Sequence, residues 1–161
     1  MPIFSRIIFQ AVKWAARRGL RDEEFASARE TKRSALRTGV RGETYAYWYL
    51  RKQGYVFLAR NYTPARTKGE LDLVGYDGET LAFVEVRTRT VSDTPEKPLA
   101  ALPELSVTLE KQKMLAQTAR FYLNERHMHE CRCRFDVVAI DNELGHAPVI
   151  RLHKDAFSPQ M

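Results

Sequence analysis

The chain has 161 residues, 44% of them hydrophobic, which is enough for one globular domain with a short appendage. No apolar run approaches the roughly 20 residues of a membrane-spanning helix, and charged residues interrupt the apolar N-terminus, so neither a transmembrane protein nor a secreted precursor is expected. The two cysteines, Cys131 and Cys133, are too close in sequence to bridge along a strand, and the cytoplasm is the expected location.

The net charge of +6 is unevenly distributed. Residues 1–42 contain ten Lys/Arg and four Asp/Glu, whereas the rest of the chain contains sixteen of each. This asymmetry indicates a basic appendage that is attracted to a polyanion or to an anionic membrane surface, or else a solvated tail without a partner.

The first predicted element is a basic amphipathic helix near the N-terminus, followed by a polar linker, so residues 1–37 are interpreted as an extension. Its apolar stripe consists of Ile3, Phe4, Ile7, Ile8, Ala11, Val12 and Ala15. Such a stripe can dock on its own domain, on a second copy of the chain in a homodimer, or on a membrane surface or other partner. Docking within the protein or between subunits is the more common outcome.

The main domain is predicted at residues 38–157, with a tail at 158–161. A helix is expected from Thr38, a favourable N-cap, to Gly54, a common helix stop. Strands are predicted at Tyr55–Asn61, Leu71–Val74, Leu81–Thr88, Arg134–Ile140 and Val149–Leu152, with a second helix at Val107–Arg126. This order indicates an α/β (α+β) fold.

The predicted hairpin carries three carboxylates inside its strands, which is unusual for a packed sheet. A turn at Asp77-Gly78 would pair Glu70 with Glu85 and place Asp72 diagonally to Glu85. Alternation then sends the three acids to one face. The crowding is explained either by a solvated hairpin face or by a divalent cation such as Mg²⁺ or Mn²⁺ held by the carboxylate oxygens.

Four segments resemble, in this order, the uncharacterised bacterial YraN-like family: "GVRGETYAYWYLRKQGYVFLARNY", "GELDLVGYDGETLAFVEVRTR", "VTLEKQKMLAQTARFYL" and "CRFDVVAI". The resemblance covers about three quarters of the chain. That family is assigned to the PD-(D/E)XK nuclease superfamily. The resemblance therefore implies a restriction endonuclease-like core, in which helices flank a central mixed sheet.

The resemblance also implies roles for individual residues. The implied catalytic residues are Asp72, Glu85, Arg87 and Gln112, the implied metal ligands are Glu43, Asp72 and Glu85, and Glu70 supports them. Basic residues flank the predicted acids in sequence or across the hairpin, and they are either contacts for a nucleic-acid backbone or ordinary solvated surface charges: Arg66, Lys68, Arg89 and Lys111. The implied reaction is hydrolysis of phosphodiester bonds in nucleic acid, with DNA favoured, by a Mg²⁺ or Mn²⁺ ion that polarises the phosphate and activates a water.

Arg87 departs from the superfamily pattern, which has lysine at this position. Arginine stays protonated and is not a plausible general base, but it can hold a phosphate through two parallel hydrogen bonds. The departure shifts weight toward the alternative of a non-catalytic nucleic-acid-binding or scaffolding module that retains the fold.

A second set of metal-ligand residue types occurs in the segment "HMHECRC", at His127, His129, Cys131 and Cys133. In a strand these residues would span about 20 Å, too far for one zinc ion, although a loop could gather them. Cysteines that pack at the start of a strand are the favoured interpretation. Asp136, an acid inside that strand, either supports the predicted metal ligands from behind or pairs near Arg134, and the second, structural role is favoured.

Overall fold

The computed structural model describes two helices, a five-stranded sheet and a short helical stretch near the N-terminus. The described residues are 7–11, 42–65, 69–91, 107–128, 130–143 and 146–158, with backbone alone for Thr90, Val91 and Glu143. The strands are β1 (Val56–Tyr62), β2 (Leu71–Asp77), β3 (Thr80–Val91), β4 (Cys133–Glu143) and β5 (Val149–Phe157). Helix α1 covers 42–53, and α2 covers Leu109–Glu125.

The strands lie in chain order within one mixed sheet. Every neighbouring pair is antiparallel except β3 and β4, which are parallel. A parallel pair needs a crossover connection, and α2 lies within the segment that joins these two strands. The mixed sheet flanked by helices confirms the predicted fold class.

The two faces of the sheet bury separate clusters because side chains alternate along each strand. Phe83 joins the cluster that contains Tyr122 of α2, with their rings 6.1 Å apart in an edge-on contact. The next residue, Val84, joins the opposite cluster, which contains Leu50 of α1 and Ile140 of β4. The sheet is therefore the middle layer between the two helices.

The predicted elements agree with the structure to within a few residues. Helix α1 ends before Gly54, whose φ of +103° favours glycine, and Thr108 caps α2 by accepting a hydrogen bond from the Lys111 backbone at 3.3 Å. The last strand, β5, is longer than predicted because it continues to Phe157 along β4. The predicted start of α1 at Thr38 lies outside the described residues.

The helical stretch at residues 7–11 packs against α1 through a residue that is absent from the predicted apolar stripe. Phe9 is buried, and its ring stacks on Tyr45 with centroids 5.3 Å apart. Ile7 and Ala11, two members of the predicted stripe, are exposed, so these two positions do not form the face that packs on α1. The aromatic surface of α1 selects the Phe9 side.

The hairpin register differs from the prediction by one residue on each strand. The two-residue turn is Gly78-Glu79 rather than Asp77-Gly78, and Asp77 pairs with Thr80. Gly78 has a φ of +62°, as a type II′ turn requires at its first central position. Because the total shift is two residues, each side chain keeps its predicted face while its cross-strand partner changes.

Among the described residues, no helix combines the length and the apolar character needed to cross a bilayer.

Candidate functional site

Asp72 and Glu85 occupy neighbouring positions on adjacent strands of the sheet. The β2–β3 ladder is paired as far as Leu73 and Val84. One further step of the same register places Asp72 opposite Glu85, where cross-strand side chains lie about 5 Å apart. The corrected register thus makes these two acids direct partners.

Beyond the last paired residues of β2 and β3, the Asp72 side chain, and not the backbone of β2, accepts the hydrogen bond from the backbone of β3. Its Oδ2 accepts a hydrogen bond from the backbone N–H of Val86 at 2.7 Å. This bond fixes the carboxylate between the two strands and leaves its other oxygen for a further partner.

Glu85 is buried, with only 4% of its side chain exposed, and two cations approach the same oxygen. Lys111 Nζ, in the first turn of α2, lies 3.1 Å from Oε1. Arg87 Nε lies 3.3 Å from Oε1, which is an ion-pair distance, although the geometry does not form a hydrogen bond. The second oxygen, Oε2, is buried without a hydrogen-bond partner.

Burial raises the pKa of both carboxyls, and the negative charge of Glu85 adds to the rise at Asp72. Burial, followed by the negative charge of Glu85, raises the pKa of Asp72 to about 7, although the Val86 hydrogen bond and Lys111 oppose the rise. Burial likewise raises the pKa of Glu85 against the opposing charges of Lys111 and Arg87. A further positive charge between the two carboxyls would therefore favour their ionised forms.

Two more predicted acids lie near this pair. Glu43, near the start of α1, is close enough for its charge to contribute to the raised pKa of Asp72. Its Oε2 accepts a hydrogen bond from Asn61 Nδ2 at 2.7 Å, so β1 holds the carboxylate. Glu70 is exposed, and its charge contributes to the raised pKa of Glu85. The structure thus brings the four predicted acids into one region.

Two glycines allow the elements that carry these acids to approach closely. A Cβ on Gly69 would lie 1.9 Å from the Oγ1 of Thr118 in α2, and a Cβ on Gly42 would lie 2.0 Å from the Oγ1 of Thr88 in β3. A larger side chain at either glycine would therefore force the facing threonine, or the element that carries it, to move. In the sequence, each of these glycines comes directly before one of the acids, as Gly42-Glu43 and Gly69-Glu70, and this repeated "GE" pair is the signal of the close packing.

The remaining predicted residues make different contacts. Gln112 Nε2 donates to the Val107 carbonyl at 3.0 Å, at the start of α2. Arg89 binds Asp141 through two hydrogen bonds, with its Nε 2.5 Å from Oδ1. Arg66 and Lys68 lie outside the described residues. Lys111, predicted as a nucleic-acid contact, lies beside Glu85 of the acid pair.

As positioned, the described residues contain no group of three or more His, Cys, Asp or Glu side chains arranged to hold a metal ion. In the segment 127–133, His129 lies outside the described residues. Cys131 and Cys133 are half-buried free thiols, and burial raises the pKa of Cys133. These features favour the structural interpretation of the two cysteines.

The donor chemistry of the acid pair nevertheless suits a hard divalent cation. Carboxylate oxygens are the ligands that Mg²⁺ and Mn²⁺ prefer, and Mg²⁺ commonly binds through only one or two protein carboxylates. The buried Glu85 Oε2 lacks a hydrogen-bond partner, and a buried carboxylate oxygen without a partner carries a substantial desolvation cost. Asp72 and Glu85 therefore fit such an ion, with Glu43 as a nearby third acid.

A second polar cluster, centred on Asp136 near the hairpin turn, confirms the structural role predicted for that residue. Asp136 is fully buried, and Arg134 donates to it from Nε at 2.8 Å. The Tyr55 hydroxyl donates to Asp136 at 2.9 Å, and Arg134 also binds Asp77. Burial, followed by the charge of Asp136, raises the pKa of Tyr55 above its ordinary value. This network ties Tyr55, which lies between α1 and β1, to β4 and to the end of β2.

Comparisons with known proteins identify similar chains of unassigned activity. The sequence model of "Uncharacterised protein family UPF0102" matches residues 42–140. A UPF0102 protein of Koribacter versatilis is 39% identical over 122 residues, covering 76% of this chain and 80% of the relative. A UPF0102 protein of Syntrophus aciditrophicus is 40% identical over 123 residues, covering 76% and 89%. One from Lachnoclostridium phytofermentans is 42% identical over 120 residues, covering 74% and 91%.

Proposed function

Because the chain belongs to the uncharacterised family UPF0102, the YraN-like family of the restriction endonuclease-like superfamily, we propose that it is a nuclease-like protein that hydrolyses phosphodiester bonds in DNA or structured nucleic acid. The proposed cofactor is Mg²⁺ or Mn²⁺. The observation that carries the proposal is a pair of carboxyls, the half-buried Asp72 and the buried Glu85, on adjacent strands beside a cationic side chain from α2.

In this proposal Asp72 and Glu85 hold the cation, and Glu43 completes the site after it leaves Asn61. When bound, the ion would polarise the phosphate and promote attack by water. The Val86 N–H keeps the Asp72 carboxylate oriented, and the Gly69–Thr118 contact sets the distance between β2 and α2. These interactions prepare the carboxylates before any substrate arrives.

Arg87 is proposed to bind the phosphate rather than to move a proton. It lies one position along the same face from Glu85 and is about one third exposed, so its guanidinium can contact both the acid pair and a ligand in solvent. Neutralisation of a developing negative charge by such a group stabilises the transition state without proton transfer.

A basic border beside the acid pair is proposed to contact the nucleic-acid backbone. Lys111 and Arg89 belong to it, together with Arg66 and Lys68 from the sequence prediction. Phosphate contacts of this kind position a duplex without reading its sequence. Arg89 is already bound to Asp141, so it can contact a phosphate only if this ion pair opens or if the guanidinium binds Asp141 and the phosphate at the same time.

The test is a cleavage assay on plasmid, forked and four-way-junction DNA and on structured RNA, with Mg²⁺, Mn²⁺ or EDTA. We expect cleavage by the wild type with either metal and none in EDTA. Asp72→Asn and Glu85→Gln should each lower the rate about 100-fold or more, because each removes a cation ligand. Glu79→Gln, which changes the exposed turn by the same charge, should leave the rate unchanged.

The alternative is a non-catalytic nucleic-acid-binding or scaffolding module. The observation that favours it is the double contact of Lys111 and Arg87 with Glu85 Oε1, which already supplies positive charge to that carboxylate. If the wild type binds the same substrates but leaves all of them intact with either metal, hydrolysis is ruled out and the binding module remains.

A further inference from the structure

Lys111 differs from the other basic residues near the acid pair because a helix, not the sheet, delivers it. It is the third residue of α2, and its backbone N–H is fixed by the Thr108 cap. Its side chain is 23% exposed and ends 3.1 Å from Glu85 Oε1. The ammonium therefore bridges from the start of α2 to the buried face of β3.

The two cations on Glu85 are not equivalent. Arg87 lies on the same strand and the same face as Glu85, so β3 itself holds the two side chains together. Lysine has a flexible four-carbon chain and a compact, strongly hydrated ammonium, and Lys111 is already partly open to solvent. Lys111 is thus the cation that can withdraw without a change in the sheet.

Resting on the proposed function, we propose that Lys111 is the resident counter-ion of Glu85 and competes with the divalent cation for this carboxylate. In the absence of the ion the ammonium offsets the buried negative charge. When the ion binds, the two positive charges repel each other over a few ångströms in a partly buried site. The affinity of the site for Mg²⁺ or Mn²⁺ is therefore set partly by a side chain that is not a ligand.

A competing counter-ion and a supporting residue predict opposite changes in cation affinity when Lys111 is replaced. A lysine that merely stabilised the fold or oriented Glu85 would weaken cation binding when removed. A competing counter-ion strengthens cation binding when removed, because its positive charge no longer opposes the ion. The direction of the change in affinity therefore separates the two roles.

The experiment is a calorimetric titration of the full chain with Mn²⁺ at pH 7.5, without nucleic acid. Lys111→Met should bind Mn²⁺ about tenfold more tightly than the wild type, and Lys111→Gln provides a second neutral side chain. Lys111→Arg, which keeps the charge, should stay within about twofold of the wild type. Lys113→Met is the matched control, because Lys113 is an exposed residue of the same helix.

A thermal unfolding series gives a second readout on the same variants. The increase in Tm on addition of Mn²⁺ should be larger for Lys111→Met than for the wild type, because tighter binding to the folded state stabilises it more. A larger increase would also show that the neutral variant folds and binds the ion in its folded state.

The outcomes separate this inference from the proposed function. If the wild type binds Mn²⁺ and both neutral variants bind it equally or more weakly, the counter-ion role is wrong, while the proposed cation site stands. If only the neutral variants bind Mn²⁺, the counter-ion role is supported in its strongest form. If neither the wild type nor the neutral variants bind Mn²⁺, both proposals are wrong.

Discussion

The raised pKa of the half-buried Asp72 carboxyl leads to a quantitative prediction about stability and pH. The perturbation is Asp72→Asn, which removes the charge and keeps a side-chain oxygen that can accept from the Val86 N–H. In the folded state, burial and the charge of Glu85 raise the pKa of Asp72 from an ordinary value of 3.8 to about 7. In the unfolded chain it returns to the ordinary value.

The sign follows from proton binding in the two states. Between about pH 4 and pH 7 the folded protein holds a proton on Asp72 that the unfolded chain has released, so the free energy of unfolding falls as the pH rises. Above pH 7 the carboxylate is ionised in both states, and the full cost of its burial is present. The difference between 3.8 and about 7 corresponds to about 4 kcal/mol.

We therefore expect the stability of Asp72→Asn relative to the wild type to increase between pH 4 and pH 8 in EDTA. The increase in this difference should be up to about 4 kcal/mol. Urea denaturation at a series of pH values measures this difference. With a urea dependence of about 1–3 kcal/mol per molar, a difference of about 4 kcal/mol corresponds to an increase in the midpoint of about 1–4 M. Glu79→Gln serves as the control for the loss of one negative charge.

Mg²⁺ should reduce the difference in stability between Asp72→Asn and the wild type at pH 8, because the ion binds the folded wild type and stabilises it. A difference between variant and wild type that stays constant from pH 4 to pH 8 would refute the reasoning. So would an Asn variant that is less stable at pH 8 than at pH 4, relative to the wild type.

Two further predictions concern the packing around the site and the second polar cluster. Gly69→Ala should lower stability by about 1–3 kcal/mol because its Cβ would lie 1.9 Å from Thr118 Oγ1, and Thr118→Ala in the same chain should recover part of the loss in urea denaturation. An additive double variant would contradict a direct steric conflict. Arg134→Met should lower stability by about 3–5 kcal/mol, because it removes the cation beside the fully buried Asp136, whereas Tyr55→Phe should lower it by only about 1–2 kcal/mol. Equal losses for the two variants would show that the ion pair does not dominate the network.

The sequence predicts the order of the elements well because most of them carry strong local signals. Alternation identifies the strands, and Gly54 and the residues around Thr108 mark helix ends. The strand Arg134–Ile140 and the helix Val107–Arg126 are therefore placed to within a few residues. The predicted ends of β3 and β5 are too short because tertiary pairing with β4 extends both strands beyond their apolar segments.

The errors have identifiable physical causes. Asp77-Gly78 is a favourable turn by local preference, but Asp77 binds Arg134 and Lys154, which holds it in the strand and moves the turn to Gly78-Glu79. Phe9 is buried because α1 presents a complementary aromatic, Tyr45. Neither tertiary contact can be read from the segment itself.

The acid pair is predictable from the hairpin alone, whereas its neighbourhood is not. The predicted strand pairing is wrong by two residues, an even number, so every side chain still points to its predicted face of the sheet. Asp72 and Glu85 therefore still lie on the same face, next to each other. The contact of Lys111 with Glu85 depends on how α2 lies across β3, and the contact of Glu43 with Asn61 depends on how α1 meets β1. Nucleic-acid binding, homodimerisation and the boundaries at residues 38 and 157 stay predictions.

The most direct test of the cation site is a crystal grown with Mn²⁺ and measured at the manganese absorption edge, where the ion alone scatters strongly and anomalously. We expect one anomalous peak that contacts the carboxylates of both Asp72 and Glu85, with the Lys111 ammonium withdrawn from Glu85. A crystal in which Mn²⁺ binds elsewhere, while Lys111 and Arg87 remain on Glu85, would contradict this expectation.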